Sequence, residues 1–217
     1  VSGEDVAIAD RDGVRCIYLL LDAAAGRAIR EAEDLGFRVI DFRITLARPT
    51  AGQRDPVPAG SVRAADPSDL PELEPISAAA HTDSRFFRDD RFDRAAARDL
   101  YVKWLRGSVE GSLAEVTLSA IQGQAAVGYI TGQATSDPET LSIGLLGVSP
   151  SARGRGLGRA LIAALLTEAG SRGYRRVEVV TQGSNVPAQR VYQAVGFRTV
   201  RTEIWLHRWA RFTDASN

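Results

Sequence analysis

Val148-Ser149-Pro150-Ser151-Ala152-Arg153-Gly154-Arg155-Gly156-Leu157-Gly158-Arg159-Ala160-Leu161 runs from the end of an apolar strand, through a glycine-rich turn, into an amphipathic helix. Glycines at alternate positions let the turn take the positive φ angles that other residues resist, so its backbone can close around a ligand. The helix behind it presents free N–H groups and a positive dipole end to whatever the turn holds. This is an anion cradle, suited first to phosphates. Arg153, Arg155 and Arg159 add positive charge at its rim. As plain structure, the same turn is a helix start with no ligand.

Working outward, alternation and turn residues predict a meander of strands over 115–122, 125–133 and 141–148 ahead of the turn. Behind it, Leu157, Leu161, Ala164 and Leu165 put one apolar face on a helix over 157–169. A strand over 176–181, a short helix over 186–195 stopped by Gly196, and a last strand over 197–207 follow. Earlier in the chain, a strand begins near Val62, a helix spans 69–81 with Ser68 as its cap and Glu72 nearby, and a second helix spans 91–105. The polar-aromatic stretch between these helices, 81–90, is too rich in chemistry for a plain connection.

At the N-terminus the pattern is strand 15–21, helix 24–35 capped by Gly36, and strand 37–46, where Phe37, Val39 and Asp41 oppose Arg38, Ile40, Phe42 and Ile44. The stretch 48–61, rich in Pro, Gly and Ala, reads as a linker. The expected organisation is therefore a small strand-helix-strand unit over 1–47, the linker 48–61, a main domain over 62–209 and a tail over 210–217, with no internal repeat.

The 217 residues carry 27 basic and 27 acidic side chains, so charge gives no reason to expect nucleic acid or a membrane surface as partner. The single cysteine, Cys16, lies in an apolar strand and reads as a core residue, which rules out an intramolecular disulfide or a cysteine-built metal site. No apolar run reaches bilayer length and no signal peptide opens the sequence, so the cytoplasm is the expected compartment.

Two phosphate motifs do not fit the turn. A P-loop needs Lys-Ser/Thr after its glycines, where Arg159-Ala160 stand. A dinucleotide fingerprint needs its third glycine one place later and a carboxylate closing the next strand, which ends at Thr181-Gln182. Instead, Arg153-Gly154-Arg155-Gly156-Leu157-Gly158, with Val148 and Pro150 before it and Asn185, Ala188, Tyr192 and Gly196-Phe197 downstream, resembles the coenzyme-binding segments of the GNAT superfamily of N-acetyltransferases.

That resemblance covers roughly residues 62–208 and implies an α/β (α+β) GNAT fold, a mixed sheet flanked by helices with a V-shaped splay between two strands. It also implies acetyl-CoA as co-substrate and no metal. The amides of Arg153, Gly154, Arg155, Gly156, Leu157 and Gly158 would take the CoA pyrophosphate. The backbone of Leu146, Gly147 and Val148 would face the thioester, and Asn185 and Ala188 would lie along the pantetheine. Tyr192 would protonate the departing thiolate. As plain structure, Asn185 is a helix cap and Tyr192 a core tyrosine.

The stretches Thr82–Phe87, Asp90–Phe92, Ile143–Leu146 and Val180–Asn185 further resemble family members that acetylate the 4-amino group of a dTDP-linked deoxysugar. This implies a nucleotide-linked amino-sugar as acceptor, with Arg85 on its diphosphate and Asp83, Ser84 and Phe86 in the acceptor wall. Asp83 would hold the amine or help remove its proton; its structural alternative is a helix cap. Phe86 and Phe87 serve equally well as packing. His207, between Trp205 and Trp209, reads as structural, and His81, at a helix C-terminus that favours the protonated ring, as a poor base. Another small amine, a protein N-terminus, or non-catalytic acyl-CoA sensing are the other readings, and a homodimer is compatible with all of them.

Overall fold

The computed structural model describes residues 1–52 and 61–210. Eight strands form one sheet in the order β1-β8-β2-β7-β6-β5-β4-β3, built from β1 (Cys16–Asp22), β2 (Arg38–Pro49), β3 (Val62–Ala64), β4 (Val116–Gln122), β5 (Ala125–Ala134), β6 (Thr140–Val148), β7 (Arg176–Gln182) and β8 (Arg198–Trp209). The helices are α1 (Gly3–Arg11), α2 (Gly26–Asp34), α3 (Leu70–Ala79), α4 (Arg85–Arg88), α5 (Arg94–Val109), α6 (Leu157–Ser171) and α7 (Val186–Ala194). Neighbouring strands are antiparallel except β6 and β7, which run parallel. Leu161, Ile162 and Leu165 of α6 and Tyr192 of α7 bury against Leu46, Val177 and Val179 of the sheet. On α3 and α5, Leu73, Tyr101 and Leu105 form a second core with Tyr129 and Leu145.

The N-terminal segment does not stand apart. β2 is inserted between β8 and β7, and β1 adds a further strand outside β8. Most of the expected linker, residues 53–60, lies outside the described residues, as does 211–217 of the expected tail.

The expectation of no internal repeat is overturned. β1, α2 and β2 have 7, 9 and 12 residues, and so do β7, α7 and β8. Gly36-Phe37-Arg38 recurs as Gly196-Phe197-Arg198, and Gly13, Arg15, Ile44, Leu46 and Arg48 recur as Gly173, Arg175, Ile204, Leu206 and Arg208. The pairing obeys the same relation: Cys16↔Trp209 is matched by Pro49↔Arg176, and Arg38↔His207 by Ala47↔Arg198. Arg43 and Glu203, 160 positions apart, pair with each other on the pseudo-two-fold axis and form a half-buried ion pair there. Arg208 donates to Leu35 O at 3.1 Å, and its counterpart Arg48 donates to Val195 O. The repeat extends into α1, whose closing turn at Asp12-Gly13-Val14 makes the same backbone bonds as Arg172-Gly173-Tyr174 after α6.

Smaller differences have local causes. Asp66, not Ser68, caps the turn into α3: its side chain accepts from the Ser68 amide, and Asp69 closes the capping box. α3 stops at Ala79 because His81 takes a left-handed φ of 58°. α5 starts at Arg94 because the Asp93 side chain accepts from the Ala95 amide.

Asp69 also holds β3, the turn and β4 together. It accepts from Arg63 at 2.6 and 2.8 Å, from Ser119 Oγ at 2.8 Å and from the Asp66 amide at 3.0 Å. The Arg63 guanidinium, ahead of the opposing effect of burial, lowers its carboxyl to about 2. A depressed carboxylate stabilises the fold above its unfolded value near 4, and that contribution is lost as pH falls toward 2. Asp69→Asn should cost about 2 kcal/mol at pH 7, read by denaturant melts, and the cost should shrink on acidification through that window.

Candidate active site

The parallel pairing of β6 with β7 covers only Thr140↔Arg176 to Ile143↔Val179. Beyond it the two strands part, so the backbone of β6 from Gly144 to Val148 no longer bonds β7. A register shift in β5 between Ile130 and Gly132 marks where β6 bends, and the Leu145 amide turns to Thr131 Oγ1 at 2.9 Å. Gly147 lies against the Tyr129 ring so closely that a β-carbon would sit 2.7–2.9 Å from it, which fixes the strand beside the opening. At the end of β6, Gly156 at φ 79° starts α6 without a side-chain cap. A β-carbon built on Gly154, Gly156 or Gly158 meets nothing within 4 Å. An open turn before the uncapped N-terminus of a 15-residue helix has the donors and the space for a diphosphate.

On the α3–α5 side of the same opening lies a cavity of about 540 Å³, lined by Asp41, Phe42, Arg43, His81, Ser84, Arg85 and Phe86, among others, with Gly144, Leu145 and Thr181 at the splay. The Arg85 guanidinium lies over Trp205, Phe86 and Tyr18, at 4.0, 4.4 and 4.9 Å from the ring centroids. Its Nε is buried without a hydrogen-bond partner. Asp41 is 6% exposed. Its Oδ1 accepts from the Phe42 amide at 2.8 Å, while Oδ2 has no hydrogen-bond partner and lies 3.7 Å from Arg88 Nε. Burial, opposed by the Phe42 amide and Arg88, raises its carboxyl above the usual range.

Residues 76–197 match the acetyltransferase (GNAT) family, and these residues hold both the opened strands and the glycine turn. The chain belongs to the GNAT acetyltransferase family. It is 27% identical over 188 residues to the spore coat polysaccharide biosynthesis protein SpsD of Bacillus subtilis, a match covering 87% of this chain and 63% of that protein. It is 30% identical over 178 residues to the dTDP-fucosamine acetyltransferase of Escherichia coli O6:H1, covering 81% of this chain and 74% of that one. A GCN5-related N-acetyltransferase from Sphaerobacter thermophilus shares the fold with a TM-score of 0.63 at 20% identity, over 95% of this chain and 65% of that structure.

Against the family pattern, the expected residues of β6 adjoin the opening and Tyr192 lies in the core. Leu146, Gly147 and Val148 lie on the part of β6 that pairs with β5 but not with β7, and the six residues Arg153 to Gly158 form the turn. Asn185 is the cap of α7, its Oδ1 accepting from the Ala188 amide at 3.1 Å. Tyr192 is buried with Phe197 at 5.7 Å, its hydroxyl bonds no protein group among the described residues, and burial pushes its phenol above the ordinary value.

In the acceptor cavity, Ser84, Arg85 and Phe86 line the wall, but Asp83 does not. Asp83 is exposed on the turn before α4, outside the lining. The carboxylate that faces the cavity is Asp41, from the N-terminal repeat. Its signal in the sequence is a charged residue on the Phe37/Val39 face of a strand. His81 also differs from expectation: burial lowers its ring to about 4, so it is neutral despite the helix end. The N-terminal repeat has Ala25 and Ala32 where the C-terminal one has Asn185 and Tyr192, so it duplicates the scaffold without those side chains.

Among the described residues no His/Cys/Asp/Glu cluster could hold a metal, and no helix is long and apolar enough to cross a membrane.

Proposed function

We propose that the protein transfers the acetyl group of acetyl-CoA to a primary amine, and that the acceptor is a nucleotide-linked amino-sugar of the dTDP-4-amino-deoxysugar class. One observation carries the reading: an open diphosphate cradle and a cavity with a buried carboxylate, whose Oδ2 accepts no hydrogen bond, lie on either side of one strand opening. The similarity to a dTDP-fucosamine acetyltransferase supports the choice of acceptor.

Acetyl-CoA supplies an activated thioester. The amides of Arg153 to Gly158 bind its pyrophosphate, and the free backbone of β6 orients the acyl arm. Asp41 takes a proton from the incoming ammonium, directly or through water, leaving the nitrogen lone pair free to attack the thioester carbon. Backbone N–H groups around Gly147 face the carbonyl oxygen as charge develops on it. The new C–N bond forms, the C–S bond breaks, and the Tyr192 hydroxyl protonates the sulfur. The surplus nitrogen proton leaves through Asp41 to solvent, which also restores Tyr192. Arg85 takes the acceptor's diphosphate, its rings holding the guanidinium in place.

The test is an acceptor comparison: a dTDP-linked 4-amino-4,6-dideoxysugar against an aminoglycoside, free amino acids and a peptide N-terminus, each with acetyl-CoA. Preferential thiol release with the nucleotide sugar is expected. Equal or better release with another amine overturns the acceptor.

A further inference from the structure

A second cavity, of about 730 Å³, lies at the β1-β8-β2 end of the sheet. Its lining includes Arg15, Arg38, Asp89, Arg91, His207 and Trp209, and shares no residue with the acceptor cavity or the glycine turn. Arg15 precedes β1, Arg38 opens β2, and His207 and Trp209 close β8. Asp89 and Arg91 come from the segment that follows α4. Three arginines thus border the cavity with one carboxylate among them.

That carboxylate is already committed. Asp89 is buried; its Oδ2 accepts from Trp209 Nε1 at 2.8 Å and lies 2.8 Å from His207 Nδ1, and its Oδ1 accepts from the Arg91 amide at 3.2 Å. The arginine side chains are exposed and none is paired with a carboxylate among the described residues. Arg38 donates only to the neighbouring Phe37 carbonyl at 3.2 Å, and the Arg91 guanidinium lies 6.0 Å from the Trp209 ring centroid. Arg15 makes no side-chain hydrogen bond or ion pair among the described residues.

The internal repeat supplies a comparison. The counterpart of Arg15 in the C-terminal copy is Arg175, which Glu139 neutralises at 3.1 Å. His207 and Trp209 stand where the N-terminal copy has Ala47 and Pro49. The scaffold therefore carries side chains at this cavity that its own duplicate lacks.

Guanidinium groups gathered around one concavity repel each other unless an anion neutralises them. Their forked donors match phosphoryl oxygens in pairs. A single small anion would leave most of this volume empty and part of the charge unmatched, whereas two linked phosphoryl groups suit both. We propose that this cavity is a binding site for a diphosphate-bearing ligand, held by Arg15, Arg38 and Arg91 and separate from the acetyl-transfer site. It goes beyond the acetylation reading and stands whichever amine is the acceptor. The diphosphate is either free or part of a nucleotide whose base lies against Trp209, and the two sources are separable by experiment.

The test is calorimetry on the full chain in the presence of saturating CoA, which occupies the glycine turn, with inorganic pyrophosphate and dTDP as the probes. Pyrophosphate should bind, and Arg15→Gln, Arg38→Gln and Arg91→Gln should each weaken it by about tenfold. Arg91→Glu should weaken it further. Because these side chains are exposed and bond no other side chain, the variants should melt with the parent. Tighter binding of dTDP, with the advantage lost in Trp209→Leu, identifies a nucleotide as the source; equal binding identifies the diphosphate alone, and both results support the site. No pyrophosphate binding overturns the proposal. So does binding that survives all three glutamine variants but is lost in Arg85→Gln, which would place it in the acceptor cavity. Competition by sulfate as strong as that by pyrophosphate at equal ionic strength would mean charge screening alone, and also overturns it.

Discussion

Tyr192→Phe is expected to lower turnover by roughly 10²- to 10³-fold while leaving the KM for acetyl-CoA within about twofold. Tyr192 is 5% exposed, packs against Phe197, and belongs to the core shared by α6, α7 and the sheet. Phenylalanine keeps that ring and removes one oxygen. Burial raises the phenol above its ordinary value, so the proton that the proposed acid role requires is held on the hydroxyl. Because the hydroxyl bonds no protein group among the described residues, its loss should not lower the melting temperature. Steady-state thiol release at saturating acetyl-CoA reads the effect; unchanged turnover removes Tyr192 from the chemistry.

Asp41→Asn carries the second large effect, a fall of about 10²-fold or more in kcat/KM for the amine. The change is nearly isosteric, so it separates charge from shape. Burial raises the Asp41 carboxyl, with Oδ2 unpartnered and Arg88 at 3.7 Å. The acid limb of kcat/KM should therefore lie above the usual carboxylate range, and the variant should lose that limb. Stability should move the other way. A carboxyl raised by folding favours the fold as pH drops through its folded value and weighs against it at neutral pH, where it is ionised. The neutral amide removes that penalty, so the variant should melt at the same temperature as the parent or higher. Reduced activity with a lower melting temperature that tracks it would mean a structural role.

Much of the fold is legible in the sequence because the signals are local. The glycine turn, the α6 face and the three meander strands each occupy a short window, and they fall close to where alternation puts them. The insertion of β2 between β7 and β8 is not legible, since it depends on pairings across most of the chain. The repeat is hidden because only scaffold residues survive in both copies, such as Gly36-Phe37-Arg38 and Gly196-Phe197-Arg198. The side chains that attract notice, Asn185 and Tyr192, are matched in the other copy by Ala25 and Ala32.

The acceptor side is harder to read for the same reason. Asp83 sits in a stretch rich in functional residue types, but it is exposed and stands outside the cavity. Asp41 comes from the repeat that reads as accessory, and the sheet carries it into the cavity. His81 departs from expectation in charge because a helix dipole is a smaller effect than removal of the ring from water.

The central claim is acetyl transfer onto an amine nitrogen across the opening between β6 and β7. Its most direct test is to mix the full chain with acetyl-CoA and a dTDP-linked 4-amino-4,6-dideoxysugar and follow thiol and product mass together. One thiol released per N-acetylated sugar, with no release when the amine is omitted, is the predicted result. Coenzyme binding without acetylated product from this or any other amine would contradict it.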